Sequence, residues 1–357
     1  MTVALLGPLI VYAIVLGLHL VLPARWTPGY VVDPATGQPY RYRLNGLRVL
    51  FASLGLYALA GSLGWIAWDF FYVHRLAMVA GACLLGLVFT FAIVLPAPPQ
   101  KSFFADLYLG RLANPQWGGG RLDAKMFLYL VGAVMLELNL ISFTAHHLIV
   151  FPEDPSPGVV LYALLFSFFV IEYLNFEEVH LYTYDFMAER VGFKLGWGCL
   201  VFYPFFYPIG LWALADHPNP HTPTPLLVLY ALIFFSGWVL ARGANLQKFW
   251  FKRDPTAKAF GVLEPRAISD GRRHVLAGGF WGLSRHINYL GEILMATGLA
   301  LCLGYPTALA PWLYPLYYVV LLFPRQHYDD IRCAEKYGPL WDEYVRRVPH
   351  RIIPGIY

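Results

Sequence analysis

The chain has 357 residues, of which 58% are hydrophobic, 17% aromatic and only 13% charged, with a formal net charge of +4. With a mean hydropathy of +0.52, it carries too little polar surface for a soluble globule, and an all-α polytopic membrane bundle is the expected class. The four cysteines (Cys83, Cys199, Cys302 and Cys333) have neither CxxC nor Cys/His spacing, so no metal centre and no disulfide framework are expected.

A helix of about 20 apolar residues crosses the hydrocarbon layer while satisfying its own backbone. In chain order the segments that qualify are 1–22, 47–68, 76–96, 126–150, 159–176, 195–214 and 225–241, followed by two shorter or interrupted ones near 286–303 and 309–323. The expected count is nine to ten spans. No small-residue cleavage site follows the first segment, which therefore reads as a retained span. When the loops are assigned alternately to two sides, every Lys and Arg except Arg75 falls on one side, while FPEDPSP, DHPNPHTP and GYPTALAP fall on the other. Cytoplasmic loops collect basic residues, so the N-terminus is expected outside and the C-terminus in the cytosol. No polar stretch is long enough for a separate soluble domain. The expectation is one integral membrane domain over 1–357, with a helical bundle over 1–241 and a more polar C-terminal part over 242–357.

Three stretches concentrate groups that such a chain would otherwise avoid. In NFEEVHLYTYDF, after the fifth span, Glu178 and Asp185 belong to a carboxylate cluster, and Tyr207 lies in the next span. The cluster reads as a proton reservoir or as an interfacial cap. In RGANLQKFWFKRDP, Arg242, Asn245, Lys248 and Lys252 recur at helical spacing, which makes a cationic stripe at the membrane edge. It suits lipid headgroups or clamps the phosphates of a dinucleotide. In GGFWGLSRHINYLGE, Trp281, Arg285, His286, Asn288 and Glu292 cluster at membrane depth, where ionisable groups are costly and default to a functional reading, and the intervening glycines admit a ligand or a neighbouring helix. The C-terminal YDDIRCAEKYGPLWDEYVRR reads as an amphipathic surface helix or as a lid with rings for stacking and carboxylates for ribose hydroxyls. There is no GxGxxG, so a dinucleotide would bind without a Rossmann unit.

FWGLSRHINYLGE, DDIRCAEKYGPLWDEY and the terminal VPHRIIPGIY resemble the sterol C=C reductase family, which includes the Δ14-sterol reductases, 7-dehydrocholesterol reductase and lamin B receptor. RGANLQK, YRLNGLR and GRLDAKMF extend the resemblance over most of the chain. The resemblance implies a ten-helix membrane fold, NADPH bound from the cytosolic side by the C-terminal half, and a sterol substrate entering from the lipid bilayer. No nucleic-acid partner is implied. Carried over by position, the NADPH contacts would be Asn245, Lys248, Lys252, Trp281, Arg285, His286, Asn288, Arg325, Asp329, Tyr337 and Tyr344. The implied reaction protonates a ring Δ7 or Δ14 alkene and quenches the cation with hydride; from the residues near the carboxylate cluster, Tyr207 is the candidate acid, supported by Glu178 or Asp185. The membrane is expected to be a bacterial inner membrane, or the endoplasmic reticulum in a eukaryote. Two other functions compete. RHINYLGE followed by an acidic doublet is also similar to the isoprenylcysteine carboxyl methyltransferases, which use S-adenosylmethionine, and a fold of this kind can serve as a non-catalytic sterol-binding protein.

Overall fold

A computed structural model describes residues 2–357; Met1, with which the first expected span begins, lies outside the described residues. Each expected apolar segment contains helix. Among the described residues, five helices are long and apolar enough to cross a membrane: Val3–Val21, Arg75–Val94, Ala124–Val150, Pro157–Asn175 and Thr224–Arg253. Gly46–Ser62, Phe193–Phe206 and Ile287–Cys302 are apolar but shorter. The protein is an integral multi-pass membrane protein. Two helices outrun their apolar stretches: Thr224–Arg253 carries the cationic stripe as its last three turns, and Leu309–Tyr337 continues from an apolar half into the polar C-terminal sequence. Three antiparallel two-stranded hairpins join them, with strands Arg25–Val32 and Pro39–Leu44, Gln116–Trp117 and Leu122–Asp123, and Ala267–Ser269 and His274–Leu276. The chain divides into two compact units between Asn219 and Pro220.

In the first unit the Ala124–Val150 helix is the hub, with 83% of its apolar window buried. Asp123 caps its start by accepting the Met126 N–H at 2.9 Å. The Phe193–Phe206 helix contains a π turn over Gly198–Phe202 and two nearby prolines, and the breaks they make are repaired from other helices. Pro204 has no N–H for the Leu200 carbonyl four residues earlier, and the Tyr12 hydroxyl donates to that carbonyl at 2.5 Å. Pro208 likewise deprives the Pro204 carbonyl, which accepts the Asn139 amide at 2.7 Å. Both donors are buried, so the irregular backbone is satisfied at a depth where water is scarce.

In the second unit the Thr224–Arg253 and Ile287–Cys302 helices cross through small residues. A β-carbon on Gly291 would sit 2.5 Å from the Gly237 carbonyl oxygen and 2.8 Å from the Ala241 methyl, so glycine is required there by backbone proximity. Gly338, at φ +56, ends Leu309–Tyr337 and turns the chain into the short helix Pro339–Arg347. Leu340, Trp341, Tyr344 and Val348 then pack on Ile268 and Val275 of the third hairpin.

Candidate functional site

The polar residues of the second unit form two linked sets. The first surrounds Trp281. Gln247, one helical residue before Lys248, is buried; its amide donates to the Gly278 carbonyl at 3.1 Å and accepts the Phe280 N–H at 3.0 Å, which fixes the Gly279–Gly282 turn against the helix. The Trp281 indole donates to the Ala244 carbonyl at 2.9 Å, and the Trp281 carbonyl accepts the Tyr344 hydroxyl at 2.8 Å. The Lys248 ammonium lies 5.2 Å from the centre of the Trp281 ring. Tyr337 stacks on Trp341 at 6.5 Å. Lys248, Trp281 and Tyr344 thus meet around one turn, and Tyr337 joins them through Trp341, which lies 5.0 Å from the Tyr344 ring.

The second set is built on Arg285, which is buried to 4% exposure. Its guanidinium donates to both carboxylate oxygens of Asp330 at 3.3 and 3.1 Å and to the carbonyls of Val348 and Pro349 at 3.0 and 2.9 Å. The Arg285 and His286 N–H groups donate to the His350 and Arg351 carbonyls, which ties the chain end to this segment. His286 lies 3.6 Å from Asp330 and stacks on Tyr289, whose hydroxyl donates to Asp329 at 2.5 Å. Burial alone would raise the Asp330 carboxyl, but the nearby His286 ring and the Arg285 bonds outweigh it and hold the group below the usual carboxylate range. The Asn288 side-chain oxygen is buried and, among the described residues, has no hydrogen-bond partner.

Charge sets the character of this surface. Lys248 feels both Asp329 and Arg325, and Lys252 feels Lys248, Lys336 and Arg332, so five cations gather here, with Asp329 beside Lys248. Asn245 lies part-buried on the same helix. Asp330, Arg332 and Lys336 lie in the C-terminal stretch that the sequence marks as a lid or surface helix, but no cofactor contact is expected of them individually, nor of Gln247.

In the first unit, YRLNGLR and GRLDAKMF brace the carboxylate stretch. Asn45 meets the His19 ring nitrogen at 2.7 Å, and the Gly46 N–H donates to Glu177 at 3.0 Å. The buried Lys125 ammonium donates to Asn114 at 3.1 Å and to the Asp185 and Phe186 carbonyls at 2.9 and 3.1 Å. Glu178 accepts Arg25 at 2.7 Å and the Thr27 hydroxyl at 3.3 Å. A cavity beside them is lined by Met126, Tyr129, Leu130, Tyr173, Leu174, Glu177, His180 and Phe186. Tyr207 is linked to its wall through rings: it meets Tyr203 edge-on at 4.8 Å, Tyr203 meets Tyr173 at 6.3 Å, and Tyr173 lies 4.0 Å from the His180 ring. Neither Tyr207 nor the side chains of Glu178 and Asp185 are among the lining residues; their neighbours Glu177 and Phe186 are. No group of His, Cys, Asp and Glu suited to a metal ion occurs among the described residues.

Residues 5–357 match the profile of the Ergosterol biosynthesis ERG4/ERG24 family. The chain belongs to this family. Its relatives include a Delta(14)-sterol reductase of Arabidopsis thaliana, 30% identical over 94% of this chain and 91% of the relative. A Delta(14)-sterol reductase of Mus musculus is 32% identical over 89% of this chain and 77% of the relative, and one from Methylotuvimicrobium alcaliphilum is 28% identical over 93% and 79%. The family is thus matched from the first helix to the last residue, and the match takes in both units.

Proposed function

We propose that this protein is an NADPH-dependent sterol reductase acting on a ring alkene, Δ14 first among the candidates. Membership of the ergosterol family and the names of the relatives support sterol double-bond reduction. The observation that carries the cofactor is the gathering of Arg325, Lys336 and Arg332 about Lys248 and Lys252, with Asp329 beside Lys248. Like charges drawn together at a partly desolvated site favour a polyanion, and NADPH brings a pyrophosphate and a 2′-phosphate, whereas S-adenosylmethionine brings a sulfonium cation. Lys248, Lys252 and Arg325 would hold the phosphates. Trp281, Tyr337 and Tyr344 offer ring surface, Asn245 and Asn288 amide groups, and Asp329 an acceptor for ribose hydroxyls. Arg285 and His286 hold the surface together through Asp330 and leave one guanidinium N–H to spare. NADPH supplies hydride when bound.

The rest of the chemistry belongs to this chain. A sterol alkene is a weak base, so an acid must be positioned against it in a water-poor cavity. That acid comes from the stretch carrying Glu178, Asp185 and Tyr207, where carboxylates and a phenol follow an apolar span. The test is the affinity of detergent-solubilised protein for NADPH, NADH and S-adenosylmethionine, followed by product analysis with Δ14 and Δ7 sterol dienes. Loss of one charge-assisted bond in Lys248→Ala should weaken NADPH binding by roughly 10- to 100-fold and NADH binding less. Binding of S-adenosylmethionine alone would overturn the reading in favour of a methyltransferase, and sterol binding with no turnover would leave a non-catalytic binder.

A further inference from the structure

We propose that the proton donor to the alkene is the Glu177 carboxyl, in place of its neighbour Glu178; this rests on the reductase reading above. The two carboxyls are adjacent in sequence and face different surroundings. Glu178 is paired with the Arg25 guanidinium at 2.7 Å and takes the Thr27 hydroxyl on its other oxygen, so both its oxygens are engaged as acceptors. Glu177 is 92% buried, since only 8% of it is exposed, and it lines the cavity with Tyr129, Tyr173 and His180. Its Oε2 accepts the Gly46 N–H at 3.0 Å, the only hydrogen bond on this carboxyl among the described residues. In the neutral acid this arrangement makes Oε2 the carbonyl oxygen and leaves Oε1–H as a donor towards an aromatic and aliphatic wall. A β-carbon on Gly46 would collide with this carboxyl, so glycine in YRLNGLR is what admits it.

The surroundings of Glu177 favour its neutral form relative to an exposed carboxyl. Burial pushes the carboxyl up to about 7, against the opposing pull of the Gly46 N–H and the Arg25 charge. The helices 124–150 and 157–175 present Tyr129 and Tyr173, and its own turn presents Glu178 and His180. His180 donates from Nε2 to the Tyr173 carbonyl at 2.9 Å, so its other ring nitrogen is the acceptor in the neutral ring. In the step itself the Oε1–H bond breaks and the alkene π pair forms a new C–H bond. The other alkene carbon becomes a tertiary cation, which hydride supplied by a reduced dinucleotide would quench, and Glu177, left as carboxylate, regains its proton from water.

The experiment follows turnover of a Δ14 sterol diene by wild type, Glu177→Gln, Glu177→Asp and Tyr207→Phe from mildly acidic to alkaline pH, with NADPH affinity measured on each. Glutamine keeps the acceptor for Gly46, so NADPH affinity and thermal stability should survive. General-acid contributions are about 10²–10⁴-fold, so kcat of Glu177→Gln should fall at least ~100-fold and the loss of activity above neutral pH should vanish with it. Partial recovery in Glu177→Asp supports the assignment. Wild-type kcat and pH profile in Glu177→Gln would overturn it, as would a Tyr207→Phe variant that alone loses turnover and the alkaline limb. A wild type that reduces no sterol diene sinks the reductase reading itself, which separates the two failures.

Discussion

Arg285→Met tests whether the guanidinium is the clamp of the second unit. Four donations end on it, two to Asp330 and two to the Val348 and Pro349 carbonyls, at 4% exposure. Removing one member of a buried, hydrogen-bonded ion pair costs about 3–5 kcal/mol, because the partner charge and the acceptors are stranded. Asp330 is not left bare: His286 lies at 3.6 Å and Arg351 at 4.0 Å, which places the expected loss at the lower end. Since 1 kcal/mol corresponds to roughly 4 °C for a unit of this size, the apparent Tm should fall on the order of 10 °C. Arg285→Lys should recover less than half, because an ammonium cannot fork between two carboxylate oxygens and still reach two carbonyls. The assay is thermal unfolding in detergent without nucleotide, followed by Trp fluorescence and by proteolysis of the C-terminal segment. If nucleotide-free Arg285→Met unfolds where wild type does and loses only the stabilisation added by NADPH, the clamp reasoning is wrong and Arg285 acts through the cofactor alone.

Asn139→Leu should cost about 1–3 kcal/mol by orphaning the Pro204 carbonyl, read as a lower unfolding temperature, whereas an unchanged value would mean that the break beside Pro208 is satisfied in another way. Gly291→Leu should prevent the close crossing of the 224–253 and 287–302 helices; full-length protein that folds and binds NADPH normally would contradict it. The raised Glu177 carboxyl gives a pH dependence of opposite sign to that of a salt-bridged acid. The folded state holds this proton more tightly than the unfolded state, so stability is lost as pH rises from the ordinary value of 4.5 through about 7. Glu177→Gln should therefore be more stable than wild type in alkaline buffer by up to ~3 kcal/mol and no more stable in acid. An offset independent of pH would refute the assignment. Asp330, held low, works the other way: its contribution is present at neutral pH and fades as pH falls through its depressed value.

Much of this protein is written in short windows of sequence. Apolar runs long enough to span the bilayer specified the helices, since a backbone in lipid has few other ways to satisfy itself. The cationic stripe was legible because Asn245, Lys248 and Lys252 repeat at helical spacing, and the helix does continue through them to Arg253. Polar residues at 281–292 stood out because an apolar chain rarely retains them without use. The hairpins at 25–44 and 267–276 were not legible: their strands are short, and strand pairing leaves no 3.6-residue period to detect. Partners were not legible either. Arg285 reaches Asp330 across 45 positions and Val348 across 63, and Lys125 reaches the Asp185 carbonyl across 60. Nor could sequence separate Glu177 from Glu178. The two are chemically identical neighbours, and tertiary structure alone turns one to the Arg25 guanidinium and the other into an aromatic cavity, because a side chain's direction on a short turn is set by what packs against it rather than by its own identity.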